Sequence, residues 1–349
     1  MTPRRIMSYL RWQARLSRMW LRGGDGRHLA LAHWRGDRLR RRLCRITSRA
    51  GREVVVVALV EHMGDIIAAE PLLRAVRARH PNAMIIHVVG ERWQALTAHH
   101  PAVDQQIVVG CLGEWYLAAG RTGAIEYDLH VPGRVCDACP SVTRPTSAAT
   151  PDIDISNYYF HGSLLDVFAK LGGVDIAGVD RRPRLHVAGE MGAPADAKRR
   201  TSLGDYAVIH AASNQAHRDW TVAGWREVIA ALHAEGLAVA EVGLRPALAG
   251  TEAIDRTGLP LEETIDLIRG ASLFLGIDSG PAHIAAAAGT PAVVLLGHYG
   301  KYTRRMPFSG PLAEGTGGSV IQHDGPLSTL EPERVIVEAR RILRTMERR

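Results

Sequence analysis

The segment Leu273-Phe-Leu-Gly-Ile-Asp278-Ser279-Gly280-Pro281-Ala282-His283 joins an apolar run to an alanine-rich stretch that ends at Gly289. Its pattern is a buried strand, a tight polar turn and a helix start, with Pro281 near the first helical position, where its missing N–H would be unpaired anyway. The backbone N–H groups of Ser279 and Gly280, with the helix dipole behind them, suit an anion such as a phosphate. Gly280 lets the anion approach the backbone, and His283, one turn in, reaches the same ligand. The same residues also suit a plain helix start, with Asp278 or Ser279 acting only as its cap.

A second segment, His210-Ala-Ala-Ser213-Asn214-Gln-Ala-His217-Arg218-Asp219-Trp220, follows another apolar run. Small polar residues, a cation and an aromatic anchor suit a diphosphate, with Arg218 able to grip phosphate oxygens in bidentate fashion. The alternative is a surface Arg218 paired with Asp219. A third segment, Glu61-His62-Met63-Gly64-Asp65-Ile66-Ile67, lies between a strand and a helix. Asp65 is there either the helix N-cap or a general base facing a cleft. Cys136-Asp-Ala-Cys139 is a single Cys-x-x-Cys with no close second pair, so no metal site is assigned. His130 or Cys111 could complete one only if the fold brings them near.

Strands alternating with helices must position these segments. The pattern predicts strands at Val54–Val60, Met84–Val89, Gln106–Val109 and Tyr127–Val131, with helices over Asp65–Arg79, Glu91–His99 and Gly162–Leu171. It restarts with strands at Tyr206–His210, Ala238–Val242, Leu273–Ile277 and Ala292–Leu296, and helices at Val222–Ala234, Leu261–Arg269, Pro281–Ala288 and Pro332–Met346. Two such arrays give an α/β protein with two Rossmann-like, doubly wound parallel sheets. The expected division is an arm at 1–50, an N-terminal acceptor domain at 51–182, a linker at 183–200, a donor domain at 201–330 and a C-terminal helix at 331–349. Ligands bind beyond the carboxyl ends of such strands, hence in the cleft between the domains.

A chain of 349 residues exceeds what one core usually supports, and 46% apolar with 23% charged residues excludes general disorder. No apolar stretch reaches the ~18 residues of a spanning helix. Four cysteines are too few for a disulfide scaffold and fit a reducing cytoplasm. Charge is uneven. Residues 1–50 hold fourteen Arg against Asp25 and Asp37, a net +12, while the remainder holds 29 basic and 34 acidic residues, a net −5. Residues 4–22 place Ile6, Leu10, Leu16, Met19 and Trp20 on one side of a helix among arginines, a pattern for an anionic membrane surface or for a packed or solvated helix. No recognised nucleic-acid fold accompanies the arm, so no nucleic-acid partner is expected.

Taken together and in this order, the three segments resemble those of glycosyltransferase family 9, the heptosyltransferase family, over about residues 53–349. Met63-Gly64-Asp65 followed by an apolar run and Pro71 is similar to its first loop. His210, Ser213, Arg218 and Trp220 hold places comparable to its second-domain opening, with Arg218 where the family has Lys. Asp278-Ser279-Gly280-Pro281-Ala282-His283 through Gly289-Thr290-Pro291 is similar to its signature. The resemblance implies a GT-B fold and an inverting, metal-independent transfer without a cofactor, the donor being a nucleotide sugar such as ADP-heptose. It implies Asp65 as base and Met63 and Gly64 in the acceptor-side loop. Ser213, Asn214, Arg218, Asp278, Ser279, Gly280 and His283 would bind the donor. The acceptor would be a lipopolysaccharide core or another surface glycan, met at the cytoplasmic face of the inner membrane through the basic arm. The segment Gly243–Gly250 departs from the family, being shorter and lacking a helix-opening Glu. A sugar-nucleotide epimerase of the same shape and a non-catalytic binding relative are the alternative functions.

Overall fold

The computed structural model describes residues 24–141, 152–187, 203–213 and 215–347. The helix expected over residues 4–22 and most of the expected linker lie outside them. Two all-parallel sheets form the frame. The first has the order β3-β2-β1-β4, from β1 (Val54–Ala58), β2 (Met84–Gly90), β3 (Gln105–Val109) and β4 (Ile125–Asp128). The second has the order β10-β9-β8-β5-β6-β7, from β5 (Tyr206–His210), β6 (Ala238–Glu241), β7 (Ile254–Asp255), β8 (Leu273–Ile277), β9 (Ala292–Leu296) and β10 (Gly318–Gln322). Every residue of β1, β5, β8 and β9 is buried. That is why these strands read as unbroken apolar runs, since a parallel sheet is covered on both faces.

The helices correct the sequence reading in three places. The arm is not separate over its second half: α1 (Gly24–Arg49) is one helix whose Ala32, Leu39 and Leu43 are buried in the core of the first domain. Their spacing of seven and four residues keeps them on one face. A Cβ at Gly36 would meet the Glu114 carbonyl oxygen at 2.8 Å, so glycine there lets α1 lie directly on the helix Leu112–Ala118. The single helix expected over Asp65–Arg79 is two, α2 (Met63–Ala68) and α3 (Glu70–Arg79). Pro71 has no N–H to continue the ladder, and the chain restarts with it in the first turn of α3. Glu91–Leu96 is a 3₁₀ segment rather than a full helix.

The helix Leu112–Ala118, now α4, and the edge strands β7 and β10 were not expected; all are short. Helix α5 (Leu164–Gly172) begins on a Ser163–Asp166 capping box. In the second domain, α6 (Val222–Ala234) packs with α9 (Pro332–Glu347), whose Val335, Ile336, Ala339 and Ile342 are buried in the core beneath β5, β8 and β9. The C-terminal helix is thus part of the second domain. One apolar seam runs from Val55 and Ile85 of the first sheet to Val208 and Val294 of the second, so the two domains are packed together rather than tethered.

Candidate active site in the interdomain cleft

Each polar segment leaves the carboxyl end of a strand: Met63-Gly64-Asp65 after β1, Arg134 after β4, Ser213 to Arg218 after β5, Asp278 to His283 after β8, and Tyr299 to Arg305 after β9. Parallel sheets present their ligand sites at that end.

On the first wall, Asp65 occupies the third position of α2, and its Oδ2 accepts from the His62 backbone N–H at 3.2 Å. It also accepts from Arg134 Nη1 at 2.7 Å. Asp65 is thus not the N-cap, a place taken by His62; it is the N3 partner of a capping box whose carboxylate also meets Arg134. Burial alone would raise its pKa, but the Arg134 charge and the His62 contact outweigh that and hold the carboxyl well below the usual carboxylate range. The Asp65 carboxylate, 3.7 Å from His62 Nδ1, raises the His62 pKa against the opposing effect of burial.

The two walls meet at two glycines. A Cβ on Gly64 would lie 2.7 Å from His283 Cδ2, and one on Gly280 would lie 2.5 Å from Met63 Sδ. The Met-Gly-Asp turn is thus seated on the first turn of α8 (Gly280–Ala288), and no larger residue fits without movement. His283 is buried, with its ring 4.6 Å from that of Phe308. Burial lowers its pKa, so the imidazole is neutral at pH 7.

On the second wall, Asp278 is buried between two guanidiniums. Arg218 Nη2 lies 3.1 Å from Asp278 Oδ2 and also donates to the Asp278 carbonyl. Arg305 Nη2 lies 3.2 Å from the same carboxylate oxygen, and Arg305 Nη1 donates to the Gly297 carbonyl at 2.7 Å. Two cations sharing one carboxylate leave a net positive charge at the strand ends. The Tyr299 ring lies 5.1 Å from both guanidinium carbons, and Tyr159 lies 5.7 Å from that of Arg305. Arg218 does not pair with Asp219. Asp219 Oδ1 instead accepts from the Ser213 N–H and hydroxyl, each at 2.8 Å, which folds the loop after β5. Asn214, expected beside it, lies outside the described residues.

No side chain caps α8. Ser279 Oγ sits 2.9 Å from His210 Nδ1 and 3.0 Å from the Ile277 carbonyl, while Asp278 is held by the arginines. Burial pushes His210 down to about 4, so it stays neutral. Both capping alternatives are thereby set aside, and the amide end of α8 faces the cleft. Trp220 is not an anchor for a ligand: it is buried against Trp225 and donates Nε1–H to the Leu330 carbonyl at 3.0 Å. The short Gly243–Gly250 segment is closed by buried Glu241, whose carboxylate accepts from the Ala247 N–H at 2.7 Å and from the Leu248 N–H.

Arg134 and Arg305 did not emerge from the sequence. Arg134 lies in an irregular stretch with no periodicity to frame it. Arg305 had a signal, the Tyr299-Gly-Lys-Tyr-Thr-Arg-Arg305 run directly after a buried strand, where an aromatic and basic cluster marks a ligand-facing loop.

Residues 163–314 match the family model described as glycosyltransferase family 9 (heptosyltransferase). Lipopolysaccharide heptosyltransferase 3 of Escherichia coli is 35% identical over 106 residues, 27% of this chain and 31% of that protein. The match therefore spans about a third of that relative's length. Among solved structures, the glycosyltransferase family 9 protein from Veillonella parvula has a TM-score of 0.63 at 18% identity, covering 84% of this chain and 97% of that one. The E. coli ADP-heptose lipopolysaccharide heptosyltransferase II has a TM-score of 0.59 at 17% identity, covering 84% and 99%. In fold this chain is GT-B, and in sequence its residues 163–314 resemble glycosyltransferase family 9, the heptosyltransferase family.

Proposed function

We propose that this chain is an inverting glycosyltransferase that moves a heptose from ADP-heptose onto a lipopolysaccharide-core acceptor. The observation that carries the reading is the seating of Gly64 against His283. It fixes a carboxylate, Asp65, on one wall opposite the Arg218–Arg305 pair and the α8 amide end on the other.

In this scheme the acceptor hydroxyl lies beside Asp65 and attacks the anomeric carbon from the face opposite the diphosphate. The new C–O bond forms as the bond to the phosphate oxygen breaks. The hydroxyl proton goes to Asp65, and ADP leaves with the electron pair. Arg218, released from Asp278, and Arg305 take up the charge that develops on the diphosphate, together with the Gly280 N–H. This electrostatic work needs no added divalent ion at the phosphates. Ser279 and His283 line the sugar side. Ser213 shapes the loop that carries Arg218. Met63 and Gly64 form the acceptor edge.

We place the reaction at the cytoplasmic face of the inner membrane, with the basic N-terminal region on the anionic surface. No helix among the described residues is long and apolar enough to cross a membrane. Incubation with ADP-heptose and heptose-deficient core lipopolysaccharide should add one heptose mass to the acceptor and release ADP. An altered sugar from donor alone, with no acceptor product, would instead indicate the epimerase reading. Donor binding with neither product would indicate a binding protein.

A further inference from the structure

Three buried thiols, Cys111, Cys136 and Cys139, converge in the first domain. Their sulfurs all lie within 4.8 Å of one another, and Cys111 Sγ is 3.6 Å from Cys139 Sγ. A metal held by thiolates at about 2.3 Å in tetrahedral geometry separates its sulfurs by about 3.8 Å, whereas a disulfide brings them to about 2.0 Å. The 3.6 Å between Cys111 Sγ and Cys139 Sγ is close to the former. Gly113 carries no side chain where a Cβ would strike Cys139 Sγ. Ser141 Oγ lies 3.3 Å from the same sulfur.

His130 is not part of this cluster, because its Nδ1 is 2.6 Å from Asp128 Oδ1 and its Nε2 accepts the Val60 N–H. Cys111 meets the condition that the sequence left open: it precedes α4 and is brought by the fold onto the Cys-x-x-Cys loop. We propose that Cys111, Cys136 and Cys139 bind one thiolate-preferring divalent metal ion of the Zn²⁺ or Fe²⁺ class, with water or the Ser141 hydroxyl in the fourth position. Three thiolates select such soft-tolerant ions over Mg²⁺ or Ca²⁺. The ion would clip the loop after β4 to the start of α4. Arg134 lies in that loop, two residues before Cys136, so the clip would fix the guanidinium that grips Asp65. Its role is structural, and the metal takes no part in the transfer step.

The test uses the full-length chain purified without chelators. Elemental analysis should find one Zn²⁺ or Fe²⁺ per chain, and Cys136→Ser and Cys139→Ser should lose it. Refilling the wild-type chain with Co²⁺ should give the thiolate-to-cobalt charge-transfer absorption of a tetrahedral site. That measurement does not depend on any variant folding. A wild-type chain that holds no metal as purified and gives no such absorption with Co²⁺ would overturn the proposal. So would mass-spectrometric detection of a disulfide within the group in freshly prepared protein.

Discussion

Arg134 Nη1 lies 2.7 Å from Asp65 Oδ2, so the carboxylate proposed as base is already paired across 69 residues of chain. The pair has consequences for pH. With Arg134 present, the Asp65 pKa lies well below the usual carboxylate range, so the group is ionised throughout ordinary assay conditions. Removing the cation while leaving the burial raises that pKa. Arg134→Gln should therefore move the acidic limb of the kcat profile to higher pH, because Asp65 then gains its proton earlier as pH falls. Profiles that superimpose for wild type and variant would separate Arg134 from the base.

The Arg218–Asp278–Arg305 group predicts how ADP is held. A charge-assisted hydrogen bond contributes roughly 1.5–3 kcal/mol. Arg218→Ala and Arg305→Ala should each weaken ADP binding by about 10- to 100-fold in calorimetry, with Arg218→Lys intermediate. Added Mg²⁺ or Mn²⁺ should leave turnover unchanged. A strict requirement for either ion would contradict charge neutralisation by arginine.

The two glycine contacts differ in how far their neighbours can yield. Met63, opposite Gly280, is flexible, whereas His283, opposite Gly64, is wedged against Phe308. Overpacking typically costs about 1–3 kcal/mol. Gly64→Ala should depress turnover more than Gly280→Ala, and Met63→Ala should restore activity to Gly280→Ala. Equal loss in both glycine variants, or no rescue, would count against this account of the seam.

Truncation distinguishes the two halves of the basic region. Deleting residues 1–50 removes α1, whose Leu43 is fully buried, and replacing one such leucine by alanine alone costs about 2–5 kcal/mol. That truncation should unfold the first domain. Deleting residues 1–23 should leave the thermal midpoint in place yet reduce binding to anionic vesicles. Vesicle binding unchanged by the shorter deletion would remove the membrane role from those residues.

The strands that form the sheet centres were legible because burial on both faces leaves a continuous apolar signature. Tyr206–His210, Leu273–Ile277 and Ala292–Leu296 coincide with the expected ranges. Short or edge elements such as β7 and α4 carry too few residues for a period to develop. Charge misled at α1, where arginines on the outer face masked the Ala32–Leu39–Leu43 stripe beneath. In the site, Asp65, Arg218 and Asp278 were singled out by the order and family resemblance of the three segments, since local spacing alone also fitted helix caps and a surface arginine. Arg134 and Arg305 join them only through tertiary contacts, which no local pattern encodes. The Cys111 contribution to the thiol cluster is of the same kind.

The central claim is that Asp65 receives the acceptor proton during heptosyl transfer, and single-turnover kinetics of Asp65→Asn test it most directly. With ADP-heptose and heptose-deficient core lipopolysaccharide, the variant should bind donor as wild type does. It should form product roughly 10²- to 10⁴-fold more slowly, as loss of a general base requires. Product formation at the wild-type rate would contradict the account and leave Asp65 a structural partner of Arg134 alone.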